Sequence, residues 1–211
     1  MTDINSSSGP AIETIMLTAP VIPVIVINDV ADAVPMAEAL VAGGLKVLEV
    51  TLRTPAALEA IAAMKQVEGA IVGAGTVIDP KTLDAALKAG SEFIVSPGLT
   101  ENLGKAAIGS GIPFLPGIAN AGDIMRGLDM GLTHFKFFPA MAAGGIPALK
   151  SLAAPFGQCR FCPTGGVTLE TAGNWLAIDP VLCVGGSWMI PAGPMDTAAI
   201  QRNAAAARAL A

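Results

Sequence analysis

The sequence predicts a (β/α)8 barrel, the TIM-barrel class of α/β fold, with short loops and an N-terminal helix. Three observations carry this expectation. Eight short apolar runs read as strands, each followed by a helical pattern, at a spacing of roughly 20 to 25 residues. The runs are near-continuous in Val, Ile and Leu, as in Val21-Ile22-Pro23-Val24-Ile25-Val26-Ile27, which is how strands buried on both faces read. The residues that break the apolar pattern collect where strands end: Glu49, Arg53, Thr76, Pro97, Lys136, Thr164-Gly165-Gly166 and Gly185-Gly186-Ser187. Barrels of this class carry their chemistry at the C-terminal strand ends. A doubly wound sheet is the alternative, and it lacks the G-x-G-x-x-G expected after the first strand.

Taken in order, a short helix from Ala11 to Leu17 precedes the first strand. Asp29 or Asp32 caps the next helix, which runs through Met36 and Leu40 and stops at Gly43-Gly44. Strand two is Val47 to Leu52, and Thr54-Pro55 opens a helix reaching Lys65. Strand three is Ile71 to Thr76, followed by a helix from Asp79-Pro80 to Lys88. Strand four is Phe93 to Pro97, with Thr100 opening its helix. Strand five is Phe114 to Gly117, with a helix from Asn120 to Met130. Strand six contains Lys136 and is followed by a Gly144-Gly145 loop and a helix to Ala154. Strand seven is Arg160 to Thr164, with a helix from Thr168 to Leu176. Strand eight is Val181 to Gly186, and an Ala-rich helix closes the chain. The expected organisation is a polar, Ser-rich, flexible tail over residues 1–10 and one barrel domain over residues 11–211.

Composition bounds the function. Hydrophobic residues make up 53% and charged residues 14%, with a mean hydropathy of +0.63, which raises the question of a membrane. The longest uncharged run, Ala106 to Gly122, holds two prolines and four glycines. No segment offers the roughly 20 uninterrupted apolar residues of a spanning helix. The N-terminus lacks a basic region followed by an apolar one, so a cytoplasmic protein is expected. A net charge of −5 and a pI near 4.8, with no basic face, argue against nucleic acid. Small anions remain open, since a few backbone N–H groups bind them.

Lys136 is the most informative residue. The other six lysines lie in segments that read as solvated helix or loop, whereas Lys136 interrupts the aromatic run Phe135-Lys136-Phe137-Phe138. Strand alternation puts Phe135 and Phe137 on one face and Lys136 and Phe138 on the other. Burial drives an amine towards its neutral, nucleophilic form unless an acid pairs with it. Two readings stand at this point: a prepared nucleophile, or a strand-end lysine whose stem reaches out to water.

Glu49 offers the acid. By alternation Glu49, Thr51 and Arg53 share one face of strand two, opposite Leu48, Val50 and Leu52. Glu49 suits proton transfer beside Lys136, or else a structural ion pair with Lys136 or Arg53. Arg53 presents a fork suited to a carboxylate, unless it is a surface arginine. Gly165-Gly166 and Gly185-Gly186-Ser187 end adjacent strands, where barrels bind phosphate through backbone N–H groups, or else they form tight turns only. The single histidine, His134, reads as core or rim, and no metal-ligand cluster or G-x-S-x-G motif is present. Cys159-Arg160-Phe161-Cys162 matches C-x-x-C, but its cysteines face opposite ways on a strand, which favours buried thiols over a redox or metal site. An amine, an acid, a carboxylate clamp and a phosphate cradle together point to Schiff-base chemistry on a phosphorylated 2-keto acid.

The stretches Glu49-Val50-Thr51-Leu52-Arg53, Gly73-Ala74-Gly75-Thr76-Val77, Ser96-Pro97-Gly98-Leu99-Thr100, Phe135-Lys136-Phe137-Phe138-Pro139-Ala140, Arg160-Phe161-Cys162-Pro163-Thr164-Gly165-Gly166 and Gly185-Gly186-Ser187-Trp188 resemble the 2-keto-3-deoxy-6-phosphogluconate (KDPG) aldolase and 4-hydroxy-2-oxoglutarate aldolase family. The resemblance spans Thr18 to Pro191. It implies a class I lyase without metal or cofactor, cleaving KDPG to pyruvate and glyceraldehyde 3-phosphate in the Entner–Doudoroff pathway. By that resemblance Lys136 forms the imine and Glu49 is the acid/base. Arg53 and Thr76 hold the substrate carboxylate, Pro97, Phe138 and Thr164 line the site, and Gly165, Gly166, Gly186 and Ser187 bind phosphate. A homotrimer is implied, as is activity on 4-hydroxy-2-oxoglutarate. Relatives acting on the galactonate-derived epimer carry no Arg after the strand-two glutamate, so Arg53 favours KDPG. Ile118 to Gly122 and the Ala-rich C-terminus depart from the family pattern without touching the implied catalytic residues. The competing functions are an isomerase or decarboxylase on a phosphate-binding barrel, which needs no strand-six lysine, and a phosphosugar-binding barrel without catalysis.

Overall fold

A computed structural model describes residues 11–210, and the tail expected over residues 1–10 lies outside them. Nine strand segments form: β1 (Val21–Ile25), β2 (Val47–Thr51), β3 (Ile71–Gly75), β4 (Ile94–Val95), β5 (Phe114–Leu115), β6 (Gly117–Ile118), β7 (His134–Phe137), β8 (Arg160–Pro163) and β9 (Val184–Gly186). All pairings are parallel, in the orders β5-β4-β3-β2-β1-β9 and β6-β7-β8. Isolated bridges from Phe161 to Val181 and from Thr164 to Gly185 join β8 to the last strand. Together with the β9–β1 pairing they close a (β/α)8 barrel.

The expected fifth strand is two segments because Pro116 stands between them and has no N–H for the ladder. Its carbonyl still accepts from Lys136 N at 2.8 Å, so β6 and β7 stay in register around the break. Lys136, expected on strand six, therefore lies on β7. The eighth strand is shorter than expected. Val181 contributes only a bridge, and regular pairing begins at Val184.

Nine helices lie among the described residues: α1 (Ile12–Met16), α2 (Ala33–Ala42), α3 (Ala57–Met64), α4 (Pro80–Lys88), α5 (Glu101–Ser110), α6 (Ala121–Asp129), α7 (Gly145–Ala153), α8 (Leu169–Leu176) and α9 (Thr197–Arg208). Several start where capping chemistry places them. Asp79 accepts from Thr82 N with Pro80 at the first position, Thr100 from Leu103 N, and Asn120 from Asp123 N. Asp29 caps a short 3-10 turn at Val30–Asp32, while Asp32 makes no capping bond to α2. Thr54-Pro55 does not cap α3, which begins at Ala57. The Thr54 hydroxyl instead donates to the Ile27 carbonyl, tying the end of β2 to the end of β1.

Strand alternation divides the core in two. Outward residues, among them Ile25, Leu48, Val72, Ile94, Phe135, Phe137 and Phe161, pack against the helices. Inward residues Ile22, Val47, Phe93, Val95, Leu115, Cys162 and Cys183 form a separate cluster inside the barrel, completed by Ile15 and Met16 of α1. A five-residue helix is too short to persist alone. It holds because these two side chains close the barrel's N-terminal end. Cys159 lies in the outer core and Cys162 in the inner one, the opposite facing that alternation predicts, and both are free thiols. No helix among the described residues is long and apolar enough to cross a membrane.

Candidate active site

Glu49 and Lys136 come from nearly opposite sides of the barrel and meet inside it. β7 turns Phe135 and Phe137 outward, where their rings pack near Phe161 and Trp175 at centroid distances of 6.3 and 6.4 Å. That anchoring leaves Lys136 one direction, inward. On β2 Leu48 and Val50 point outward in the same way, which sends Glu49 inward. Lys136 Nζ donates to Glu49 Oε1 at 2.9 Å, with the two residues 5% and 3% exposed. Each charge would be costly there alone, and each offsets the other's lost hydration. The lysine is thus no strand-end residue reaching to water.

The neighbouring residues define a mouth above the pair. Phe138, one residue beyond β7 and half-buried, places its ring centroid 5.4 Å from Lys136 Nζ, within range of a cation–π contact. In register Lys136 lies beside Cys162, so Thr164 stands one inward step higher on the adjoining chain. Thr164 is buried, with its Oγ1 3.8 Å from Cys162 Sγ. The bridge from Thr164 to Gly185 sets Gly165-Gly166 next to Gly186-Ser187. Gly165 and Gly166 both have positive φ, 102° and 78°, a pair of conformations only glycine adopts readily. Ser187 is exposed at the rim beside them.

The remaining expected residues sit at strand ends around the same mouth. Thr76, directly after β3, has φ 61°, in the left-handed region. A β-branched residue held there stores about 1–3 kcal/mol, the kind of strain that concentrates at functional sites. Pro97 is exposed after β4, preceded by Ser96, whose buried hydroxyl donates to Gly98 O at 2.7 Å. Arg53 is exposed two residues beyond β2 and makes no salt bridge among the described residues. The structure therefore joins Lys136, Glu49 and Phe138 directly and sets Thr164 with the two glycine turns. Arg53, Thr76 and Pro97 stand at neighbouring strand ends.

In the sequence Gly73 and Gly75 stand out only as part of the Gly73-Ala74-Gly75-Thr76-Val77 motif. Both point inward, and side chains occupy the room they leave: the Phe93 ring over Gly73 and the Glu49 side chain over Gly75. Glycine at alternate positions of one strand was the available signal. His134, expected at core or rim, lies at the start of β7, with its Nε2 3.9 Å from Glu13 Oε1 of α1. Burial lowers its pKa, Glu13 opposes that, and Arg160 adds to it.

The family described as KDPG and KHG aldolase matches residues 12–205. The chain belongs to that family. The 2-dehydro-3-deoxy-phosphogluconate aldolase of Zymomonas mobilis is 62% identical over 189 residues, covering 90% of this chain and 91% of that one. The crystal structure of the Zymomonas mobilis ZM4 2-keto-3-deoxy-6-phosphogluconate aldolase with 3-phosphoglycerate superposes with a TM-score of 0.94 at 60% identity, over 95% of this chain and 96% of that one. The KDPG aldolase of Legionella pneumophila, with pyruvate captured as a covalent carbinolamine, gives 0.85 at 45% identity, over 95% and 96%. These family aldolases share the barrel, so the fold expected from the strand pattern holds.

Proposed function

We propose that this family aldolase cleaves KDPG to pyruvate and glyceraldehyde 3-phosphate through an imine on Lys136, as a class I lyase without metal or cofactor. The observation that carries the reading is the buried 2.9 Å hydrogen bond from Lys136 to Glu49 inside the barrel. The carbinolamine captured in the Legionella relative is the adduct this chemistry forms first.

The steps follow from the pair. Lys136 attacks as a neutral amine, its proton passing along the hydrogen bond to Glu49. The amine adds to the C2 ketone, and Glu49 returns the proton to the departing hydroxyl, so water leaves and a protonated imine forms. The imine draws the electrons of the C3–C4 bond as that bond breaks, while Glu49 accepts the proton of the C4 hydroxyl. Glyceraldehyde 3-phosphate departs and an enamine remains. Protonation at C3 and hydrolysis release pyruvate and restore the amine. Arg53 and Thr76 hold the substrate carboxylate, Pro97, Phe138 and Thr164 wall the site, and Gly165, Gly166, Gly186 and Ser187 receive the phosphate. The enzyme works as a cytoplasmic homotrimer of single-domain barrels and also accepts 4-hydroxy-2-oxoglutarate.

A substrate panel tests this. Pyruvate release, coupled to its reduction by lactate dehydrogenase, is expected to give the highest kcat/KM with KDPG, lower with 4-hydroxy-2-oxoglutarate and lowest with the C4 epimer. Preference for the epimer, or no pyruvate from any of the three, contradicts it. Activity is expected to survive EDTA, and loss on chelation rules out the metal-free reading.

A further inference from the structure

We infer that Gly75 is the positioning residue that sets Glu49 against Lys136. The inference rests on the reading of Glu49 as the proton carrier and extends it to the residue that holds the carboxylate in place.

Glu49 pairs in register with Gly73, and Thr51 with Gly75. The inward hollow beside Glu49's own backbone, over Gly73, is already filled: a Cβ there would lie about as close as 2.5 Å to the Phe93 ring. The Glu49 side chain leans instead one inward step towards the C-terminal end and rests over Gly75. The three heavy atoms nearest to a Cβ built on Gly75 all belong to Glu49: Oε1, the nearest and well inside van der Waals contact, then Cγ at 2.7 Å and Cδ at 2.9 Å. Oε1 is the atom that accepts from Lys136 Nζ.

Gly75 does not lie in the left-handed region, so its backbone suits any residue, and space alone demands glycine. An alanine there has to push the carboxylate aside. The backbone on either side resists moving, because Leu52 N donates to Gly75 O at 2.9 Å and Val77 N donates to Val95 O at 3.2 Å. Displacement falls on the Glu49 side chain, which loses its aim at the amine. A misplacement of this order typically costs about 10- to 100-fold in rate.

The test is a pair of double-mutant comparisons on the full chain. Gly75→Ala is expected to lower kcat for KDPG by about 10- to 100-fold, with KM changed less than about threefold. In a Glu49→Gln background, where shape is kept and the acid is gone, adding Gly75→Ala is expected to cost less than about twofold. Thermal unfolding supplies a second readout independent of activity. Gly75→Ala is expected to lower Tm by roughly 5 °C in the otherwise unaltered chain and by roughly none in a Glu49→Ala background, where the collision is relieved. Should Gly75→Ala alone fail to fold, recovery of a cooperative transition in the Gly75→Ala, Glu49→Ala protein supports the proposal, and failure to recover overturns it. A near-unaltered kcat, an equal rate loss in both backgrounds, or an equal Tm loss in both likewise overturns it. A fully active Glu49→Gln protein would instead remove the proton-carrier reading, leaving the Tm comparison to report on the collision.

Discussion

The N-terminal half of the barrel interior is filled by Ile15, Met16, Ile22, Val47 and Phe93, whereas the C-terminal half holds Glu49, Lys136 and Thr164 beside inward glycines. The same strands build both halves. Val47 and Glu49 are two residues apart on β2, and His134 and Lys136 are two apart on β7. On β2 one step along the inward face leads from the apolar Val47 to Glu49 of the buried ion pair, and on β7 one step leads from the imidazole of His134 to its partner Lys136. The apolar half fixes the strands so that the polar half can hold its groups at hydrogen-bonding distance, and the difference predicts that damage to the two halves will look different.

The largest effect belongs to the upper half. Lys136→Ala is expected to lower kcat/KM by at least about 10³-fold, while Lys150→Ala, on the exposed face of α7, stays within about twofold. Equal losses in the two variants would erase the distinction. The lower half should answer in stability. Met16→Ala is expected to cost about 2–5 kcal/mol in a denaturant titration, with kcat per folded molecule unchanged. A matching loss of kcat would show that the plug shapes the site directly.

A smaller effect is expected at the rim. Ser187→Ala should raise KM for KDPG several-fold more than for 4-hydroxy-2-oxoglutarate, because only the former carries a phosphate. Equal changes would place the phosphate elsewhere. The smallest concerns His134 on the barrel floor. Its pKa is lowered on folding by burial, so the neutral form is favoured in the folded chain. The stability it contributes is complete above its ordinary value of 6.5 and is lost as pH falls through its folded value. A Tm series from pH 8 to pH 5 should fall more steeply for the unaltered protein than for His134→Gln. Parallel curves would indicate that Glu13 offsets the burial.

Much of this was legible in the sequence because the barrel repeats one physical pattern. Lys136 and Glu49 stand out as charges in apolar strands, and alternation sets Lys136 opposite Phe135 and Phe137 and Glu49 opposite Leu48 and Val50, while leaving open whether the lysine is buried or reaches out to water. What alternation cannot give is how far a side chain travels along that face. The hollow over Gly75 and the Phe93 ring over Gly73 depend on the stagger between β2, β3 and β4, which no single strand encodes. Local chemistry misled at Thr54-Pro55, where a helix-capping pattern is used for a strand-to-strand bond, because tertiary contact outweighed the local preference. The break at Pro116 was written in the residue itself. Its place inside a strand became readable only with β7 alongside.

Borohydride reduction in the presence of pyruvate tests most directly whether the amine of Lys136 is the nucleophile. Peptide mass spectrometry of the folded, treated protein should find a reduced pyruvyl adduct on the peptide containing Lys136, with the other lysines unmodified. An unmodified Lys136, or an adduct on another lysine, would contradict the account.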